Sequence, residues 1–237
     1  MLTLNMLRTI LQSIRDVIFP HLCLSCGKDT IPSDEILCLS CTYNLPKSKQ
    51  HFYKENRFTD RFWGRIEIQA AGAYVYYKKE GSTQKLLYKL KYQGYWQIGH
   101  ELGVRYGRLL KVAPLFAGID YIIPIPLHPS KLAKRGFNQS EVFAKGLSVE
   151  MEIPMNATSL IRAKETPTQT TKTRMERFNN VADAFKILNP KSLQGKHILL
   201  VDDVLTTGAT MEAAGRMILD IPNTKLSMAC IAMADNY

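Results

Sequence analysis

The run His197-Ile198-Leu199-Leu200-Val201-Asp202-Asp203-Val204-Leu205-Thr206-Thr207-Gly208-Ala209-Thr210 decides how this chain folds. Four successive aliphatics, Ile198 to Val201, suit a strand buried on both faces, the environment of a central parallel strand. Asp202 and Asp203 then stand at its carboxyl edge, where open α/β sheets bind ligands. Adjacent carboxylates repel each other and are costly to desolvate without partners. Sugar hydroxyls are suitable partners, because carboxylates are strong acceptors. Gly208 allows close backbone approach, and the N–H groups that open a helix cradle a phosphate together with threonine hydroxyls. The residues thus seat a ribose on Asp202 and Asp203. Its 5′-phosphate falls among Thr206, Thr207, Gly208, Ala209 and Thr210. No Gly-x4-Gly-Lys-Ser/Thr occurs in the chain, so this is not a P-loop.

Outward from that junction, strands and helices alternate. Upstream, Ile66-Glu67-Ile68 and Tyr74 to Tyr77 read as strands, and Ser82 as the N-cap of a helix through Leu90 that Gly94 ends. A second helix spans about Trp96 to Val112. Tyr121 to Ile125 is a short apolar strand, followed by a basic loop, Leu127 to Gln139, and a helix from about Gln139 to Val149. Thr158 to Ile161 and Ala184 to Ile187 read as strands around a segment, 163–180, almost free of aliphatics. Ala209 to Leu219 is a helix, and Leu226 to Ala232 the final strand. The expected fold is α/β, a parallel sheet with helices on both faces.

The 237 residues are 46% hydrophobic and 22% charged, ordinary for a globular chain, but the formal charge is +10. Residues 61–145 hold 14 Lys and Arg against 5 Asp and Glu, so nearly all the excess lies there. Such a stretch favours anionic partners: phosphorylated metabolites, nucleic acid or an anionic membrane surface. No apolar run reaches the roughly 18–20 residues that span a bilayer, so an integral membrane protein is not expected. Residues 1–19 read as an amphipathic helix on Leu7, Ile10, Leu11, Ile14, Val17 and Ile18. It packs on its own domain or touches a membrane surface. It is not the unbroken apolar core of an export signal, which makes the cytoplasm the expected compartment.

Residues 20–46 carry Cys23-x2-Cys26 and Cys38-x2-Cys41, with 11 residues between the pairs. The segment has no apolar periodicity. Four thiolates on two short turns can close a tetrahedral structural zinc site that stands in for a missing core. Free thiols or a redox pair are the alternative. Cys230, in an apolar stretch, reads as a core thiol. Residues 47–65 are polar and aromatic and read as a linker, and 66–237 form the main domain.

At this point the chain resembles a known group. The Val201–Thr210 string resembles the ribose-phosphate signature of the type I phosphoribosyltransferases. The wider chain resembles the ComF-like family of competence-associated, phosphoribosyltransferase-like proteins. The resemblance is carried by the paired cysteines, Leu90-Lys91-Tyr92-Gln93-Gly94, and Ile123-Pro124-Ile125-Pro126-Leu127-His128-Pro129 through Arg135-Gly136-Phe137-Asn138-Gln139. Thr166-Pro167-x-Gln169, Arg177-x2-Asn180-Val181 and Ala184-Phe185 complete it.

The resemblance implies binding of phosphoribosyl pyrophosphate with Mg²⁺, and displacement at ribose C1 with pyrophosphate leaving. It implies that the loop with His128, Lys131, Lys134, Arg135 and Asn138 holds the pyrophosphate. For Lys131 and Lys134 a solvated basic surface is the competing reading. It implies that residues 163–180 form a flexible hood, with Gln169, Arg174, Arg177 and Asn180 as its site residues; an ordinary surface loop is the alternative. Asp183 stands where the family usually has glycine. Thr206 stands where purine-salvage relatives carry a catalytic Asp, so no residue is identified that activates an acceptor. The resemblance further implies a role in DNA uptake during transformation, with a helicase-like partner at the membrane. A non-catalytic protein that senses phosphoribosyl pyrophosphate or binds single-stranded DNA is the other reading. Its stacking groups would come from Tyr76, Tyr77, Tyr88, Tyr92, Tyr95 and Trp96, which are otherwise core aromatics.

Overall fold

A computed structural model describes residues 6, 18–28, 30–32, 35–163 and 184–234. The chain divides into two compact units, Met1–Leu45 and Pro46–Tyr237. Most of the amphipathic segment 1–19, and the hood residues Gln169, Arg174, Arg177 and Asn180 with Asp183, lie outside the described residues.

In the first unit the chain is folded by turns. An isolated antiparallel bridge joins Leu22 and Thr30. The Gly27 N–H donates to Cys23 O at 2.8 Å, and Leu24 N–H to Ile36 O at 2.9 Å. Gly27 sits at φ 69°, the left-handed region that glycine adopts without cost. A single helical turn, α1 (Leu39–Tyr43), follows; Cys38 is its N-cap, and its sulfur accepts from the Cys41 N–H. Among the described residues of this unit, apolar burial is limited to a few side chains such as Ile36, Leu37 and Leu45.

The second unit runs β1 (Ala71–Tyr77), α2 (Ser82–Tyr92), α3 (Trp96–Lys111), β2 (Tyr121–Pro124), α4 (Pro129–Arg135) and α5 (Gln139–Met151). It continues with β3 (Leu160–Arg162), β4 (Phe185–Ile187), β5 (His197–Leu205), α6 (Ala209–Leu219) and β6 (Lys225–Ala234). Strands β1-β6-β5-β2, in that order, form a sheet that is parallel throughout. In β5, Ile198 to Val201 are all fully buried. Alternate strand residues point to opposite faces. Ile198 and Leu200 join Leu226, Met228 and Cys230 in one cluster with Met211, Ala214 and Ile218 of α6. The intervening residues, such as Leu199 and Val201, are buried outside that cluster, and α5 packs on β2 and β5. Helices therefore cover both faces. Helices α3 and α5 approach so closely that a Cβ at Gly146 would run into the His100 carbonyl.

Several sequence expectations are corrected. Residues 47–65 are not a linker but part of the second unit. Lys47 bridges Val75, and Phe58 and Phe62 are fully buried in the α6 cluster. The segment lacks periodicity because two short 3-10 turns, Gln50–Phe52 and Thr59–Arg61, shape it. Ile66-Glu67-Ile68 is not a strand. Both isoleucines pack against the core, but pairing with β6 begins only at Gln69, whose N–H donates to Leu226 O. Ser82 is the first residue of α2 rather than its cap; Gly81 holds that place with no side-chain bond. Strands β3 and β4 pair antiparallel in a sheet of their own. The basic stretch 127–139 is not all loop, because Pro129 pre-sets a short helix, α4.

Candidate functional site

The carboxyl edge of the sheet opens into a cavity of about 700 Å³. Its floor is the end of β5, where Asp202, Asp203 and Val204 meet Thr206 and Thr210. Strand β5 delivers the two carboxylates and then turns sharply at Gly208, the N-cap of α6 at φ 85°. A Cβ at Gly208 would lie 3.1 Å from the Phe62 ring, so the turn is braced from behind by the 47–65 segment. The Thr207 hydroxyl accepts from the Ala209 N–H at 3.4 Å, and the N–H groups of the first turn of α6 face the helix start, where anions bind. Further along α6, the buried Glu212 receives Arg65 at 2.7 Å and Arg216 at 2.9 Å, tying the helix to the same segment.

The two acids are held differently. Asp202 Oδ1 accepts from Ser140 Oγ at 2.8 Å and from the Asp203 N–H at 2.8 Å. Desolvation, then the charge on Asp203, pushes the Asp202 carboxyl up to about 7, against the pull of those hydrogen bonds and of Lys91. Asp203 Oδ2 pairs with Lys91 Nζ of α2 at 2.9 Å. One acid is thus poised near neutrality and the other is matched by a cation.

Of the residues assigned to pyrophosphate, Lys131 and Arg135 line the cavity. Arg135 donates to Gln139 Oε1 at 2.8 Å, and its guanidinium lies 5.9 Å from the centre of the Tyr92 ring. The other three do not line it. Asn138 is the cap of α5: it is buried, accepts from Ser140 N–H at 3.1 Å and donates to Ile125 O at 2.9 Å. By holding the start of α5 it positions Ser140 beneath Asp202. His128 caps α4, accepting from Ser130 N–H, and Lys134 points to solvent. Lys91, Ser140, Phe62 and Arg162 escaped sequence reasoning. The signal for Lys91 was its place in Leu90-Lys91-Tyr92-Gln93-Gly94; for Ser140 it was the helix start behind Asn138.

In the first unit the sulfurs of Cys23, Cys26, Cys38 and Cys41 all lie within 4.8 Å of one another. Cys26 and Cys38 are 4.0 Å apart. Tetrahedral zinc with Zn–S bonds of about 2.3 Å sets its sulfurs roughly 3.8 Å apart. The four thiols fit such an ion, and all four positions are protein ligands, as in a structural site. Burial opposes ionisation of Cys23, but backbone hydrogen bonds at Cys26, Cys38 and Ser25 outweigh it and bring the thiol down to about 6.

The model of the phosphoribosyl transferase domain family matches residues 138–236. The DNA utilization protein YhgH of Shigella flexneri is 32% identical over 207 residues, covering 84% of this chain and 84% of that protein. Competence protein F of Haemophilus influenzae is 33% identical over 100 residues, 42% of this chain and 44% of that one. Among solved structures, a glutamine phosphoribosylpyrophosphate amidotransferase of Bacillus subtilis complexed with ADP and GMP aligns with a TM-score of 0.38. It is 18% identical and covers 56% of this chain and 26% of that one.

Proposed function

We propose, from the premise that this chain belongs to the ComF-like family of DNA utilization protein YhgH and competence protein F, that it binds phosphoribosyl pyrophosphate and serves in DNA uptake. One observation carries the ligand assignment. Two carboxylates and a glycine-hinged helix start share a single cavity with Lys91, Lys131 and Arg135. The ribose diol would donate to Asp202 and Asp203, displacing or sharing Lys91. The 5′-phosphate would sit at Thr206 to Thr210, and the pyrophosphate beside Lys131 and Arg135. Magnesium would arrive with the ligand, offsetting the charge of its pyrophosphate and taking few protein groups, as this ion prefers. Bound this way, the ligand would be positioned, and its charge stabilised, by the residues that line the cavity.

Calorimetric titration with phosphoribosyl pyrophosphate tests the assignment. Asp202→Ala with Asp203→Ala should abolish binding while the fold persists; retained affinity would overturn it. Release of pyrophosphate in the presence of candidate acceptors tests whether transfer occurs. A transformation assay of the same variants tests the cellular role.

A second reading, a non-catalytic factor that senses this ligand and binds single-stranded DNA, is favoured by aromatics outside the cavity. Tyr95 and Trp96 are exposed, and the Lys89 ammonium lies 5.6 Å from the centre of the Tyr95 ring. Bases stack on such groups while cations track the phosphates. Binding of an oligothymidylate should weaken steeply with salt and on Trp96→Ala; no binding at low salt would sink it. A helicase-like membrane partner belongs to this reading. Among the described residues no helix is long and apolar enough to cross a membrane.

A further inference from the structure

Strand β1 lies at one edge of the sheet, and the 47–65 segment stands where a neighbouring strand would pair with it. It does so largely with side chains. Gln50 Oε1 accepts from the Ala73 N–H at 3.0 Å, Ser48 Oγ donates to Ala73 O, and Asn56 Nδ2 donates to Ala71 O at 3.0 Å. Gln50 is buried, and its Nε2 donates to Met233 Sδ at 3.3 Å. Each of these side chains has a partner. The residue beside them, His51, does not. It is 3% exposed, and neither ring nitrogen has a hydrogen-bond partner among the described residues.

A second orphan faces it. Tyr106 of α3 is fully buried, and its hydroxyl is also without a partner among the described residues. Its ring centroid lies 5.6 Å from that of His51, edge on. Tyr74 and Phe143 hold the Tyr106 ring at centroid distances of 5.4 and 6.4 Å, so packing fixes where the hydroxyl lies. Gly72 of β1 admits it: a Cβ there would be 2.7 Å from Tyr106 Oη and 3.2 Å from the His51 amide nitrogen. Two buried polar side chains therefore meet over one notch in the sheet. Leaving such groups unbonded costs more than a hydrogen bond usually gains. Burial pushes the His51 imidazole down, which keeps it neutral, with one N–H donor and one bare acceptor. The hydroxyl also donates and accepts. Water matches this set, since a buried water makes about three bonds to polar groups that lack other partners.

We propose that His51, Gly72 and Tyr106 enclose a binding site for at least one internal water molecule, and that this water fastens the 47–65 segment to the sheet. The site lies apart from the sheet-edge cavity, which none of the three residues lines. It bears on that cavity through the segment it fastens, because the same segment carries Phe62 behind Gly208.

The test uses the full chain with zinc bound. Tyr106→Phe removes the hydroxyl and keeps the ring, so the variant should fold, checked by circular dichroism. Oxygen-17 relaxation dispersion counts waters held inside a protein, and the count should fall by at least one in the variant. Urea denaturation should show a folding constant about tenfold lower, because His51 loses its bridge. Without a bridging water the sign reverses: deleting a buried hydroxyl that bonds to nothing leaves the protein as stable as the parent, or more so. Backbone amides of residues 47–65 should exchange with deuterium faster in the variant. His51→Phe is the second variant. Its cost should be smaller in the Tyr106→Phe background than alone, because the two side chains share one water; additive costs overturn the bridge. An unchanged water count overturns the proposal. With lower stability it identifies a direct His51–Tyr106 bond, and with unchanged or higher stability it identifies two groups buried without a bond. A lower count with unchanged exchange at residues 47–65 overturns the fastening role.

Discussion

Replacing Asp202 by asparagine should stabilise the ligand-free protein while crippling its ligand site. Burial and the neighbouring Asp203 raise the Asp202 carboxyl from 3.8 to about 7. A carboxyl raised in this way holds its proton more tightly in the fold than in the unfolded chain. Between about pH 4 and 7 the folded state therefore binds more protons, and stability falls as pH rises through that window. The span from 3.8 to about 7 corresponds to roughly 4 kcal/mol at pH 8. About 2 kcal/mol of it remains at pH 5, and less than about 1 kcal/mol at pH 4. Asparagine keeps an Oδ1 acceptor for Ser140 Oγ and for the Asp203 N–H, the two bonds that Asp202 makes. It removes the charge and exchanges the second carboxylate oxygen for an amide donor. Asp202→Asn should thus gain about 2–4 kcal/mol at pH 8. That gain should appear as a melting point higher by roughly 5–10 °C in a unit of this size. The gain should shrink towards pH 4. Urea denaturation and calorimetry between pH 4 and 8 measure it. A variant no more stable than the parent at pH 8, or a difference that does not change with pH, would refute the desolvation argument.

Gly208→Ala forces an alanine to φ 85° and a Cβ to within 3.1 Å of the Phe62 ring. It should cost about 1–3 kcal/mol in urea denaturation and weaken 5′-phosphate binding. Gly146→Ala drives a Cβ into the His100 carbonyl and should cost about 3 kcal/mol by separating α3 from α5, read from the same denaturation curves. Metal analysis should find one zinc per chain. Chelation or Cys38→Ser should make residues 1–45 sensitive to protease while the 46–237 unit keeps its melting transition.

The strand, turn and helix around Asp202 were legible because each local signal agreed with the fold. Four buried aliphatics set β5, Gly208 set the turn, and α6 runs Ala209–Leu219 as its sequence pattern indicates. The parallel sheet followed from alternation of elements. What stayed hidden was long-range. The 47–65 segment has no period to read, and only the folded chain reveals that Phe58 and Phe62 anchor it in the core behind Gly208. Lys91 meets Asp203 across more than a hundred residues, and no spacing rule joins them. The structural role of Asn138 was legible too: its position immediately before Gln139 marks an N-cap, and its side chain does cap α5.

Charge in the cavity bears on how its ligand must arrive. Lys91, Lys131, Arg135 and Arg162 line it against Asp202 and Asp203, a surplus of two positive charges when both acids are ionised. All four cations precede β5, and three of them fall in the basic stretch 61–145, so the sheet edge collects charge that the sequence spreads over separate elements. A 5′-phosphate brings about −1.5 to −2 by itself, and a pyrophosphate on the same sugar brings more than the remaining surplus can offset. A divalent cation carried on the ligand's oxygens closes that gap, and hard oxygen ligands suit magnesium. The affinity for phosphoribosyl pyrophosphate should therefore rise with Mg²⁺ up to millimolar levels. The affinity for ribose 5-phosphate, which lacks the pyrophosphate, should respond far less. Paired calorimetric titrations with and without Mg²⁺ measure both. An equal response of the two ligands would mean that the cation acts elsewhere and that the charge argument for the pyrophosphate end of the cavity is wrong.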